Sequence, residues 1–396
     1  LLRILLSPPR RLVSLLDGPD EPPNGRTVEG SNALGEPRSG ERLMAYGSGY
    51  FKTTYAADMA LVDTRLRKAS LALFVGALAL LPAFASPFVL DLAAQAALAA
   101  IGALALNILT GLAGQISLGH AGFLAAGAFT AAILVEEFKA PALASLGAAA
   151  LVGAVLGLAV GAPSLRLKGL YLALGTLAMH FIVLYGGGEY QQLRGFNTGV
   201  VVPPFRVGPL TINTTTRWYY ALVALAGLAV VFCVNLARSR PGRAWMAIRD
   251  RDIAAATLGI HLARYKLLAF VVSSVLTAVA GGLWAYQRSF VSVEAFTFFT
   301  TIEYIAMIII GGMGSVLGTI LGTLFVTLLP YGIDVAMASL RLPGGAETYL
   351  FPVKFGVFGL LMALFLIFEP QGLVGIWRRV RNWVVLWPLR YRPLRG

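Results

Sequence analysis

The chain has 396 residues, of which 57% are hydrophobic and only 13% charged. A soluble globular protein carries about 25% charged residues, so this composition excludes an ordinary water-soluble domain, and the mean hydropathy of +0.75 points to lipid as the solvent. The formal net charge of +13 does not imply nucleic-acid binding, because cytoplasmic loops of membrane proteins collect Lys and Arg; the single Cys233 excludes an internal disulfide.

In chain order, residues 1–47 come first and differ from all that follows. The stretch "DGPDEPPNGRTVEGSNALGEPRSGER" is rich in Pro, Gly and charge and has no periodic apolar face, so it is expected to be a disordered extension. The chain opens without Met, and Met44 and Met59 stand just before the apolar part, which also suggests that the extension lies outside the functional domain. "LLRILLSPPRRLVSLL" is too short and too broken by proline for a signal peptide.

Uncharged runs follow: Ala69 to Leu90, Leu92 to Val135, Ala140 to Leu165, Trp218 to Ala237, Leu267 to Gln287, Tyr304 to Ile333 and Phe355 to Phe368. A helix needs about 20 apolar residues to span a bilayer, so some of these runs hold two crossings. They are rich in Leu and Ala and lack the period-2 strands of an outer-membrane barrel. The expected fold is therefore all-α and polytopic.

Basic clusters set the orientation. Arg65, Arg67 and Lys68, then Arg166 and Lys168, then the run from Arg238 to Lys266, then the tail from Arg378 to Arg395 should all be cytoplasmic. About ten transmembrane helices satisfy them: 69–88, 91–111, 117–136, 141–162, 168–187, 217–237, 266–287, 297–312, 315–334 and 352–369, with both termini cytoplasmic. Parity decides one of these. A single span over Tyr304 to Ile333 would put the basic tail outside, whereas two short passes divided at "GGMG" keep it inside. The membrane domain then covers 48–380 and a basic cytoplasmic tail covers 381–396. The outer loop 188–216 runs against the pattern by carrying Arg194 and Arg206.

Two glycine-rich breaks interrupt the apolar runs. "TGLAGQISLGHAGF" gathers Gly111, Gly114, Gly119 and Gly122 around Gln115, Ser117 and His120, and "EYIAMIIIGGMGSVLGTILG" is built alike. Glycine lets helices pack closely or break inside a bilayer, where protein or a wet cavity satisfies the freed backbone. Gln115, Ser117 and His120, with Asn107 close by, therefore either face a passage or hold the broken segment together. Glu303 opens the second broken stretch and either meets a substrate ammonium, pairs with Arg288, or sits at an interface. Asp91 and Asp334 read as helix-end markers.

Catalytic chemistry has little to stand on. The Gly-Lys pair of a phosphate-cradling P-loop is missing, and His120, His180 and His261 lie on separate segments without metal-ligand spacing. No catalytic or metal site is expected. The segment "RPGRAWMAIRDRDIAAATLGIHLARYK" does suggest a short helix outside the membrane. Asp250 or Asp252 is its N-cap, Ala254, Ala255 and Ala256 form its body, and Gly259 is its left-handed stop. Such a helix is either a docking surface with little side-chain bulk or a solvated loop.

These motifs carry a resemblance. "DIAAATLG" is similar to the cytoplasmic E-A-A…G loop of ABC-importer permeases, with Asp252 where Glu is usual. From about Tyr55 to Val380 the chain resembles the inner-membrane permease subunit of the branched-chain amino acid ABC importers. The motifs are "LNILTGLAGQISLGHAGF", "PSLRLKGLYLALGTLA", "GRAWMAIRDRDIAAATLGI", "IEYIAMIIIGGMGSVLG" and "FEPQGLVGIWRR".

The resemblance implies a multi-pass permease of a bacterial inner (cytoplasmic) membrane, with two ATP-binding-cassette ATPase subunits below it. Those partners would bind the ATP and Mg, leaving no cofactor in this chain. It further implies a second homologous permease and a periplasmic or extracellular solute-binding protein. The loop helix would be the coupling helix, with Arg249, Asp250, Asp252, Ala254, Ala255 and Gly259 as its contacts. Asn107, Gln115, Ser117, His120 and Glu303 are the candidates along the substrate pathway. The outer loop keeps only Thr198-Gly199 of a T-G-G-x-x-G-like stretch, so amides or urea stand beside branched-chain amino acids as solutes. An ion-coupled secondary transporter is the rival class; it would need intramembrane ionisable groups, and the long runs offer His120 and His180 but no mid-membrane carboxylate.

Overall fold

The computed structural model describes residues 65–165, 169–195, 199–207, 210–339, 347–369 and 371–386. The expected extension 1–47, the Arg166 and Lys168 turn, Thr198 and the tail beyond residue 386 lie outside the described residues. The elements in chain order are α1 (Arg65–Phe84), α2 (Pro87–Leu106), a π-helical turn (Asn107–Leu112), α3 (His120–Glu136), α4 (Ala142–Ser164) and α5 (Leu170–Leu193). Strands β1 (Val200–Val201), β2 (Phe205–Val207) and β3 (Leu210–Ile212) lead to α6 (Thr215–Arg238), α7 (Arg240–Asp250), α8 (Asp252–Thr257) and α9 (Leu262–Arg288). Strand β4 (Phe290–Val291) and a 3-10 turn (Val293–Phe296) precede α10 (Phe298–Gly311), α11 (Val316–Ser339), α12 (Glu347–Phe368) and α13 (Gly372–Leu386).

Among the described residues, six helical stretches are long and apolar enough to cross a membrane: Pro87–Leu112, Ala142–Pro163, Leu170–Leu193, Thr215–Arg238, Leu262–Arg288 and Val316–Val335. Ala69–Phe84, His120–Glu136 and Phe298–Gly311 are shorter apolar helices. This is a helical, multi-pass membrane protein. Helix α13 runs through Leu386, so the start of the expected basic tail is helical.

Between helices already in hydrocarbon, association rests on close packing and interhelical hydrogen bonds rather than on water exclusion. Helix α9 shows both. Gly153, Gly157 and Gly161 recur every fourth residue on α4 and form a stripe against it. A Cβ at Gly153 would lie 2.6 Å from the Ala278 Cβ, one at Gly157 3.2 Å from the Val271 Cα, and one at Gly161 2.8 Å from the Leu267 Cδ1. On another face of α9, Gly281 abuts Leu124 of α3, where a Cβ would stand 2.7 Å from the Leu124 carbonyl carbon. Ser273 Oγ donates to the Ala105 carbonyl at 2.7 Å, and Ser145 Oγ meets the Tyr286 hydroxyl at 2.6 Å.

The end of the bundle remote from α7 and α8 is tied by two short antiparallel pairs. Val200 faces Val291 between β1 and β4, and Phe205 faces Ile212 between β2 and β3. The segment 188–216, expected as an outer loop, therefore holds the end of α5, strands β1 to β3 and the start of α6. It also explains one basic residue there. Arg194 Nη2 donates to Glu137 Oε2 at 2.9 Å, and the Tyr190 hydroxyl donates to the same carboxylate, so the charge is neutralised locally.

Candidate functional site

The loop between α6 and α9 departs from the single helix expected there. Ser239 caps α7, its side chain accepting from the Gly242 N–H at 3.4 Å, with Pro241 preset in the first turn. The helix ends at Arg251, whose φ of −154° is extended, and α8 begins at once. Neither aspartate is an N-cap: Asp250 closes α7 and Asp252 opens α8, where its charge suits the positive end of the helix. Gly259 is the left-handed stop expected, with φ +83°. Ala255 faces inward at 2% exposure, while Ile253 and Leu258 stand 77% and 80% exposed. Two large apolar side chains thus project from α8 beside the small, exposed Ala254.

Both glycine breaks are real, and they touch. After α2, the chain passes through the π-helical turn and leaves helical geometry until His120. Its freed amides find side chains: the Leu118 N–H donates to Thr176 Oγ1 at 2.9 Å, and the Ala121 N–H to Thr301 Oγ1 at 3.1 Å. The second break lies between α10 and α11, where Gly312 and Gly314 adopt φ +115° and +80°, values open mainly to glycine. The Gly314 N–H donates to Asn107 Oδ1 at 2.8 Å. Arg249 reaches up from α7 and donates from Nη1 to the Gly111 carbonyl, also at 2.8 Å, while its Nε and Nη2 hold Asp250 at 3.2 Å. A Cβ at Gly314 would lie 2.8 Å from Arg249 Nη1, so a larger residue would displace the guanidinium as well as strain this left-handed position. One arginine of the loop therefore holds the first broken segment, which Asn107 in turn joins to the second.

The expected pathway residues fall into separate places. Asn107 belongs to this clasp. Gln115 is buried with neither amide atom partnered, and it lines a cavity of about 310 Å³ with Arg249, Asp250, Asp252 and Lys266. Ser117 is buried, its Oγ accepting from the Gly119 N–H at 3.4 Å. His120 opens α3 and lies against the Tyr304 ring, centroids 4.6 Å apart.

Glu303 sits elsewhere, in a second, open cavity of about 450 Å³ toward the other end of the bundle, lined by α2, α9, the 3-10 turn, α10 and α11. Arg288 lines the same cavity without forming an ion pair with it, so the Glu303–Arg288 pairing considered from sequence is not made. Asp334 lines this cavity too, inside α11 rather than at its end, while Asp91 accepts from Gln95 Nε2 at 2.6 Å. Gln287, with both amide atoms buried and unpartnered, was missed in the sequence because it only closes an apolar run.

Broken helices clasped by a basic loop, with cavities at both ends of the bundle, suit a membrane transport subunit. Residues 88–366 match the family described as the permease component of branched-chain amino acid transport systems. The chain is 32% identical over 313 residues to the high-affinity branched-chain amino acid transport system permease protein LivM of Salmonella typhimurium strain LT2, covering 73% of this chain and 70% of that one. It is 32% identical over 336 residues to LivM of Escherichia coli K12, covering 77% and 75%. The autoinducer 2 import system permease protein LsrC of Enterobacter sp. strain 638 is 29% identical over 213 residues, covering 51% and 56%. No solved structure matches the chain significantly. The chain belongs to the branched-chain amino acid permease family, whose members are non-catalytic, membrane-embedded subunits of ATP-binding-cassette transporters.

Proposed function

We propose that this chain is one of two unlike permease subunits of an importer for branched-chain or similar amino acids, driven by ATP hydrolysis in two docked subunits. A solute-binding protein delivers to the outer face. The chain crosses a bacterial inner membrane ten times, with both termini and the loop 239–261 cytoplasmic, as its basic clusters favour. A helix underlies each of the ten expected segments. The LivM relatives support the solute class, while LsrC warns that the same architecture serves others.

The observation that carries this reading is Arg249. Helix α8 offers Ile253, Leu258 and the small Ala254 to a groove in the ATPase, and α7 links that grip to the glycine breaks through the Arg249–Gly111 hydrogen bond. Docking motion is thereby passed to the two places where membrane helices bend, and alternating access follows as a rigid-body tilt. Gln115 lies between loop and break and responds first.

The test is a disulfide trap in the assembled importer. The buried native thiol is removed as Cys233→Ala, and Ile253→Cys is paired with single cysteines along the ATPase groove. A crosslink that forms at one position and changes yield with ATP is the expected result. Absence of any crosslink, with Ile253→Cys instead open to reagents from outside the cell, overturns the proposal.

A further inference from the structure

The cavity of about 450 Å³ is unused by the coupling account. Four helices build it, each with one face. Helix α10 contributes Thr300, Glu303 and Met307 at helical spacing, and the end of α9 contributes Trp284, Gln287 and Arg288. Its volume falls at the small end of the 300–1,000 Å³ typical of ligand sites. The wall is graded. Met307 follows Thr300 by seven residues, about 10 Å along the axis, and Trp284 is one turn before Arg288. Charged and polar groups therefore gather toward the end remote from α7 and α8, and apolar groups lie deeper.

Two features ask for a ligand. Glu303 is a half-buried carboxylate in an apolar helix with no cationic partner among the described residues, and an ionisable group there is a functional residue until shown otherwise. Gln287 has both amide atoms buried and without partners. A neutral solute such as an amide leaves the Glu303 charge unanswered. An anion meets the Glu303 carboxylate. A zwitterion with an apolar side chain answers Glu303, Arg288 and Gln287 and matches the apolar depth of the wall.

We propose that this cavity is a recognition site in the pathway for an aliphatic α-amino acid, deepening the importer reading on which it rests. Glu303 receives the ammonium, Arg288 the carboxylate and Gln287 either group, while Trp284 and Met307 hold the side chain. The site thereby checks the solute a second time after the binding protein releases it.

The test uses the assembled importer with Cys233→Ala and Ala295→Cys, which places a thiol on the cavity wall. Labelling by a small thiol reagent is followed with L-leucine, with 4-methylpentanoate (no ammonium) and with 3-methylbutylamine (no carboxylate). L-leucine at about four times its Kd slows labelling about fivefold, and the two analogues at that concentration leave it nearly unchanged. Adding Glu303→Gln removes the leucine effect. Equal labelling with and without leucine means that the cavity holds only water, and equal slowing by all three compounds means that the charges recognise nothing; either result overturns the proposal. The Ile253→Cys crosslink is read separately, so loss of coupling and loss of recognition are told apart.

Discussion

At the scale of single residues, the clasp turns on groups with limited substitutes. Arg249 commits three nitrogens of its planar fork, Nη1 to Gly111 and Nε and Nη2 to Asp250, a geometry that a lysine ammonium cannot reproduce. Asn107 supplies one acceptor to the Gly314 N–H. Replacing it by leucine strands that amide at a cost of about 1–3 kcal/mol, so Asn107→Leu should lower the thermal aggregation midpoint of the purified complex. Asn107→Asp keeps an acceptor oxygen and should recover most of the loss. Equal midpoints for Asn107→Leu and the parent would show that the bond does not hold the breaks together. In the sequence Asn107 stood out only as a polar residue in an apolar run. Its partner lies 207 positions away, and no local pattern reports a pairing at that distance.

At the scale of elements, the apolar runs revealed the helices and the glycines revealed the breaks, because both are local. A break frees backbone groups whether or not its partner is known. What stayed hidden was which surfaces meet. The Gly153, Gly157 and Gly161 stripe becomes a contact only once α9 is laid on it, whereas a Cβ added at Gly147 of the same helix would meet nothing within 4 Å.

The pair of glycines makes a direct comparison. Gly153→Val should abolish recovery of monodisperse complex, since its Cβ alone already sits 2.6 Å from the Ala278 Cβ. Gly147→Ala should be neutral or stabilising by about 0.5–1 kcal/mol from helix propensity, read as yield and aggregation midpoint. Similar losses at both positions would mean that α4 does not depend on this contact. The split of the loop into α7 and α8 was equally unreadable, because both aspartates are good caps by type, whereas Ser239 caps α7 and neither aspartate caps a helix.

At the scale of the whole molecule, the polar residues picked from the sequence do not share one place. Asn107 and Gln115 lie with the loop, and Glu303 lies in a cavity toward the opposite end. Tyr304 stands between the two regions, its ring tilted against His120 and lining the Glu303 cavity. The proposals above place recognition at one end and actuation at the other, with broken helices between. Composition pointed to the membrane setting and the order of motifs to the family, but the separation of these residues is a property of packing.

The decisive quantity is the number of solute molecules imported per ATP hydrolysed, measured with the full importer and its binding protein in proteoliposomes carrying Arg249→Ala. On the proposed reading hydrolysis belongs to the partner subunits and Arg249 transmits their movement, so ATP turnover should persist while uptake falls about tenfold, the effect of roughly 1.4 kcal/mol of lost coupling. An unchanged ratio of uptake to hydrolysis would contradict transmission through this clasp.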